Sequence, residues 1–142
     1  MTQRYITNSP DETIQLGSRL ATSLSNSVVA FFGDLGAGKT TFVTGMCQGI
    51  GYSGETSSPT FAIVHEYMGG RLPLYHFDMY RVESVDDLYS CGFYDYLDNG
   101  ILAIEWSENI IDALPDNAIR VHISYGESDN QRIVEITGRN IT

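Results

Sequence analysis

One nine-residue stretch, Gly33-Asp34-Leu35-Gly36-Ala37-Gly38-Lys39-Thr40-Thr41, restricts the folds open to this chain more than any other. It follows Val28-Val29-Ala30-Phe31-Phe32, a β-branched and aromatic run that reads as a buried strand, and it precedes a helix-like pattern that starts at Lys39. G-x-x-x-x-G-K-T between a strand and a helix is the pattern of a phosphate-binding loop, Walker A. Gly33, Gly36 and Gly38 permit close backbone approaches that a Cβ would obstruct. The N–H groups so freed point at phosphate oxygens, with the positive end of the next helix dipole behind them. Lys39 then reaches the β- and γ-phosphates, and the Thr40 hydroxyl takes a place on Mg²⁺. Lys39 is also the only lysine of the chain; every other cationic side chain is an arginine.

A chain of 142 residues predicts one domain, 1–142, with a single sheet and its covering helices. No apolar run is long enough to span a bilayer. The start, Met1-Thr2-Gln3-Arg4-Tyr5, lacks the charged and apolar regions of a signal peptide, so a cytoplasmic protein is expected. Cys47 and Cys91 form no ligand-like cluster and read as small thiols of a reducing compartment. The net charge of -10 opposes direct capture of RNA or DNA, since the arginines are scattered and form no basic cluster.

Along the chain, Tyr5-Ile6-Thr7 reads as a short strand. Ser9-Pro10-Asp11-Glu12 combines a serine N-cap, proline at N1 and a capping-box glutamate, and predicts a helix to about Ser25 with Leu16, Leu20 and Leu24 inward. The loop helix is predicted from Lys39 to about Gln48, ended by Gly49 and Gly51. Residues 51–60 are small and polar and read as mobile. Phe61–Tyr67 and Leu72–Phe77 read as a hairpin around Gly69-Gly70. Ser84 caps a helix ending near Gly92, and Tyr94–Leu97 adds a helical turn. Ile101–Glu105 is a buried strand, a short helix from Ser107 stops before Pro115, and Ala118–Ser124 and Gln131–Thr137 are paired strands. The pattern predicts an α/β, three-layer P-loop NTPase-like domain with a mixed sheet, parallel near the loop.

A phosphate loop needs an acidic group for the metal and the attacking water. Glu105 follows four apolar residues, so a buried strand delivers its carboxylate to the edge where ligands bind parallel sheets. It is the first candidate, for a water-mediated Mg²⁺ contact, for orienting the hydrolytic water, or for both; the competing reading is a solvated glutamate at a strand end. Asp78, at the end of Leu74-Tyr75-His76-Phe77, is the second, against a turn aspartate. Thr60, in the Ser-Pro-Thr segment, stands where a switch loop would, or else begins the next strand. Asp34 faces either the attacking water or solvent. Arg81 acts on phosphate charge or pairs with Asp78 or Glu83, the pairing being the commoner fate of a lone arginine. His65, His76 and His122 have no metal spacing and read as structural. Trp106, the one tryptophan, follows Glu105 and reports on the nucleotide if Glu105 is near it.

With these pieces in order, the sequence resembles the bacterial TsaE (YjeE) family over nearly the whole chain. The resemblance rests on Gly33–Thr41, then Ser58-Pro59-Thr60-Phe61, His76-Phe77-Asp78-Met79-Tyr80-Arg81 and Ile104-Glu105-Trp106. It implies a P-loop ATPase, weak alone, that works with TsaB and TsaD proteins in threonylcarbamoyl transfer to a tRNA adenosine, touching tRNA only through that complex. It further implies ATP and Mg²⁺ as cofactors and the loop residues Gly33, Asp34, Leu35, Gly36, Ala37, Gly38, Lys39, Thr40 and Thr41 at the nucleotide, with Trp106 beside it. Lys39 would hold phosphates, Thr40 and Glu105 would serve the metal, and Asp78 and Thr60 would take the remaining catalytic and switch positions. The rival is a P-loop small-molecule kinase, which needs a basic lid that no arginine cluster here supplies. A GTPase would need an N-K-x-D motif, which a single lysine, already in the loop, excludes.

Overall fold

The computed structural model describes residues 2–33, 37–54 and 64–139. In chain order they form β1 (Thr2–Thr7), α1 (Pro10–Thr22), β2 (Ser27–Gly33), α2 (Lys39–Gly49), β3 (Val64–Tyr67), β4 (Leu74–Asp78), α3 (Val85–Ser90), α4 (Phe93–Tyr96) and β5 (Ile101–Glu105). A 3₁₀ segment (Ser107–Ala113), β6 (Ile119–Tyr125) and β7 (Arg132–Thr137) complete the set. The seven strands make one sheet in the order β1-β7-β6-β2-β5-β4-β3. β6, β2, β5 and β4 run parallel; β7 pairs antiparallel with β6, β1 antiparallel with β7, and β3 antiparallel with β4. This is the mixed α/β sheet expected from the sequence, parallel around the loop strand.

The central strands are apolar on both faces because both faces are covered. Val29 and Phe31 of β2 pack with Leu16 and Leu20 of α1 and Phe42 and Met46 of α2. Val28 and Ala30, on the opposite face, join Phe77, Leu88, Phe93 and Ile110. Full burial of each such large side chain contributes about 1.5–3 kcal/mol. The two coverings differ in thickness: α1 and α2 have 13 and 11 residues, whereas α3, α4 and the 3₁₀ segment have 6, 4 and 7. On the thick side the helix backbones touch. A Cβ on Gly45 would lie 2.0 Å from the Ile14 carbonyl oxygen, so only glycine allows α2 to seat this closely on α1.

Local signals set most of the boundaries. Ser9 Oγ accepts from the Glu12 N–H, and the Glu12 carboxylate accepts from the Asn8 N–H, one residue before the serine that a capping box would engage. Helix α1 stops at Thr22, short of Ser25, although Leu24 is still buried. Carbonyls at this end also accept from distant side chains: Arg71 donates to those of Ala21 and Thr22, and Arg139 donates to that of Ser23. Strand β1 begins at Thr2, earlier than Tyr5, because β7 pairs with it along its whole length. Residues 61–63 of the expected hairpin lie outside the described residues, and β3 and β4 pair antiparallel as predicted. The helix expected from Ser107 is a 3₁₀ segment, kinked at Ile110 and entered from Trp106 in a left-handed conformation. Cys47 and Cys91 are free thiols, and burial pushes the Cys47 thiol up to about 12. Among the described residues, no helix is long and apolar enough to cross a membrane.

Candidate functional site

Because β2, β5 and β4 run parallel and adjacent, their C-terminal ends lie side by side on one edge of the sheet. Gly33 ends β2, Glu105 ends β5 and Asp78 ends β4, with Asp78 and Glu105 in register as neighbours. At Gly33 the chain leaves the sheet with φ 120°, and a Cβ there would stand 2.0 Å from the Ile123 carbonyl oxygen of β6. Any larger residue would displace the start of the loop.

Helix α2 begins directly after Gly38, which is itself left-handed and provides no side-chain cap. No acidic residue stands in the first turn. The N–H groups of that turn and the positive end of the helix dipole are thus left for an anion. Lys39 and Thr40 are the first residues of α2, with Thr41 next and Ala37 buried just before Gly38. Arg132 of β7 braces the loop: its Nε donates to the Ala37 carbonyl at 2.9 Å, and its guanidinium lies 4.8 Å from the centre of the Tyr125 ring.

Lys39 is 6% exposed and, among the described residues, has no carboxylate partner, an unusual position for a lysine. Its Nζ lies 5.4 Å from the centre of the Trp106 ring, a cation–π contact. Trp106 in turn holds φ 60° and ψ 41°, a conformation that costs a non-glycine residue roughly 1–2 kcal/mol. The ring of Tyr80 packs edge-on against it at 4.9 Å. Left-handed backbone turns Trp106 out of the β5 direction at the residue that follows Glu105, and so brings indole, lysine and glutamate to one end of the sheet.

Glu105 is not a solvated strand-end glutamate. Its Oε2 accepts from Nε2 of His76 at 2.5 Å, and the two side chains are 15% and 0% exposed. The bond fixes the orientation of the imidazole, with its Nε2–H directed at the carboxylate. Nδ1 of His76 is buried with no hydrogen-bond partner among the described residues. A buried polar nitrogen left this way costs about 1–3 kcal/mol. Reading His76 as structural therefore missed its contact: it sits two residues before Asp78 on the same strand face, which is the signal the sequence offered. Arg132 had no such local signal, being 95 positions from the carbonyl it holds.

Asp78 behaves partly as the turn residue: its Oδ1 accepts from the Tyr80 N–H at 2.9 Å. Arg81 is exposed and, among the described residues, pairs with neither Asp78 nor Glu83, so the expected ion pair is absent there. Asp34, Leu35, Gly36 and Thr60 lie outside the described residues. No group of three or more His, Cys, Asp or Glu side chains among the described residues could hold a metal by itself. The Glu105 carboxylate and the Thr40 hydroxyl are hard oxygen donors of the kind Mg²⁺ accepts, and such an ion usually keeps several waters besides.

A family model described as threonylcarbamoyl adenosine biosynthesis protein TsaE matches residues 7–134. The chain belongs to the TsaE family. This TsaE chain is 41% identical over 138 residues to the tRNA threonylcarbamoyladenosine biosynthesis protein TsaE of a Nostoc species, covering 93% of this chain and 83% of that one. Against the protein of the same name from Haemophilus influenzae it is 44% identical over 115 residues, covering 77% of this chain and 72% of that one. The crystal structure of Bacillus subtilis YdiB superposes with a TM-score of 0.75 at 32% identity, covering 96% of this chain and 84% of that one.

Proposed function

We propose that this TsaE chain binds and hydrolyses Mg·ATP to support formation of N6-threonylcarbamoyladenosine in tRNA, acting in the cytoplasm through TsaB-like and TsaD-like protein partners. The observation that carries the reading is the convergence at one sheet edge of an uncapped helix start, the buried Lys39 and the oriented Glu105 carboxylate. The relatives' names give the pathway.

In this reading the first-turn N–H groups of α2 and the Lys39 ammonium hold the phosphates. Thr40 and Glu105 would hold Mg²⁺, whose contribution when bound is to neutralise charge on the β- and γ-phosphates. His76 donates to one carboxylate oxygen of Glu105 and leaves the other to orient the attacking water. Asp78, next to Glu105 in register, is the second carboxylate at this edge. The acidic composition fits a subunit that meets tRNA only through its partners.

ATP hydrolysis by the chain alone and with the TsaB-like and TsaD-like pair tests this. Slow turnover alone and a marked rise with the pair are expected. Equal rates in both conditions would contradict partner activation.

A further inference from the structure

We infer that the groove between α3 and the 3₁₀ segment is a docking surface for a basic, apolar-anchored segment of a protein partner. The inference rests on the proposed function for the identity of that partner, and it names the face of this chain that the partner uses.

The thin covering of the second sheet face leaves apolar side chains outside. Val85 is 59% exposed and Ile111 47%, and they line opposite walls of one groove, with Leu88 and Ile110 buried beneath. One turn along α3 from Val85, Tyr89 is 67% exposed and packs on Tyr94 at 4.9 Å, which extends the apolar strip. The groove holds about 250 Å³, below the roughly 300–1,000 Å³ of small-molecule pockets, so it suits one or two anchoring side chains rather than a cofactor.

Charge selects the occupant. Glu83, Glu108 and Asp112 line the groove. Half of the chain's 18 acidic residues lie between Arg81 and Arg120, a span with no lysine, arginine or histidine. Such a rim repels nucleic-acid phosphates and anionic lipid, and attracts lysine or arginine flanking an apolar anchor.

The groove also adjoins the nucleotide site. Asn109 lines it and donates to the carbonyls of Met79 and Tyr80 at 2.8 and 3.3 Å. Tyr80 packs on Trp106, and Trp106 faces Lys39. A partner seated here rests against the wall that carries the indole.

The test is calorimetric binding of the full chain to the TsaB-like and TsaD-like pair, with Ile111→Arg, Val85→Arg and the double variant Glu83→Lys, Asp112→Lys. Circular dichroism and ATP affinity confirm that each variant keeps its fold and loop. Each variant is expected to weaken partner binding about 10-fold or more while ATP affinity stays at the wild-type value. The charge reversal should also reduce the salt dependence of association. Folded variants that bind as tightly as wild type would overturn the groove assignment and leave the proposed function standing. A wild-type chain that does not bind the pair at all would overturn the proposed partnership, and the groove's occupant with it.

Discussion

Lys39→Ala is expected to weaken Mg·ATP binding by about 10–100-fold, the worth of one charge-assisted hydrogen-bond set of roughly 1.5–3 kcal/mol. The reason lies in what the lysine does without a phosphate. It is nearly buried, and its contact among the described residues is the face of Trp106. A cation–π contact of that kind contributes on the order of 0.5–2 kcal/mol, less than a set of ionic hydrogen bonds to phosphate in a water-poor site. Phosphates should therefore draw the ammonium off the indole. Trp106 is the single tryptophan, so its emission reports that exchange without interference. The wild-type chain should show an emission change on titration with Mg·ATP, and Lys39→Ala should show little change over the same range. Unchanged wild-type emission together with no heat of binding would remove the phosphate-loop assignment.

The second large effect concerns hydrolysis. Glu105→Ala should lower the maximal ATPase rate by about 10²–10⁴-fold, the usual scale for losing a positioned catalytic carboxylate, with nucleotide affinity changed much less. In the proposed function His76 acts on the same step through Glu105. Without its Nε2–H the carboxylate loses the bond that holds it at the sheet edge. His76→Ala should lower kcat by about 10–100-fold, the scale seen when an orienting partner is lost, with KM nearly unchanged. His76→Gln, which keeps an N–H donor in the strand, should recover part of that loss. A His76→Ala protein with wild-type kcat, or one whose deficit glutamine does not relieve, would show that the contact only fills space.

What was legible in the sequence follows from how local its cause was. Ile101–Glu105 was readable because a central parallel strand buries both faces, and Ser9 and Ser84 because an N-cap acts within three residues. The end of α1 was not, because two distant arginines take its last carbonyls. The 3₁₀ form after Glu105 was hidden by the left-handed Trp106, a conformation no residue-type preference would assign to tryptophan. In the candidate site, the places of Lys39 at the start of α2, of Glu105 at the end of β5 and of Trp106 just after it were legible from motif and strand position. The bond from His76 and the brace from Arg132 depend on strand order, and the sequence alone did not give that order. Asp78 mixes both cases: the turn preference of aspartate was readable, while its place beside Glu105 required the β4–β5 register.

The central claim is that hydrolysis at this loop sustains tRNA modification by a larger complex. Its most direct measurement is product formed over many rounds by the TsaB-like and TsaD-like pair with excess tRNA, ATP and threonylcarbamoyl donor, comparing the wild-type chain with Glu105→Ala. The wild-type chain should support modification well beyond the amount of complex present, and Glu105→Ala should stall near the first round. Equal yields from the two proteins over many rounds would contradict the account.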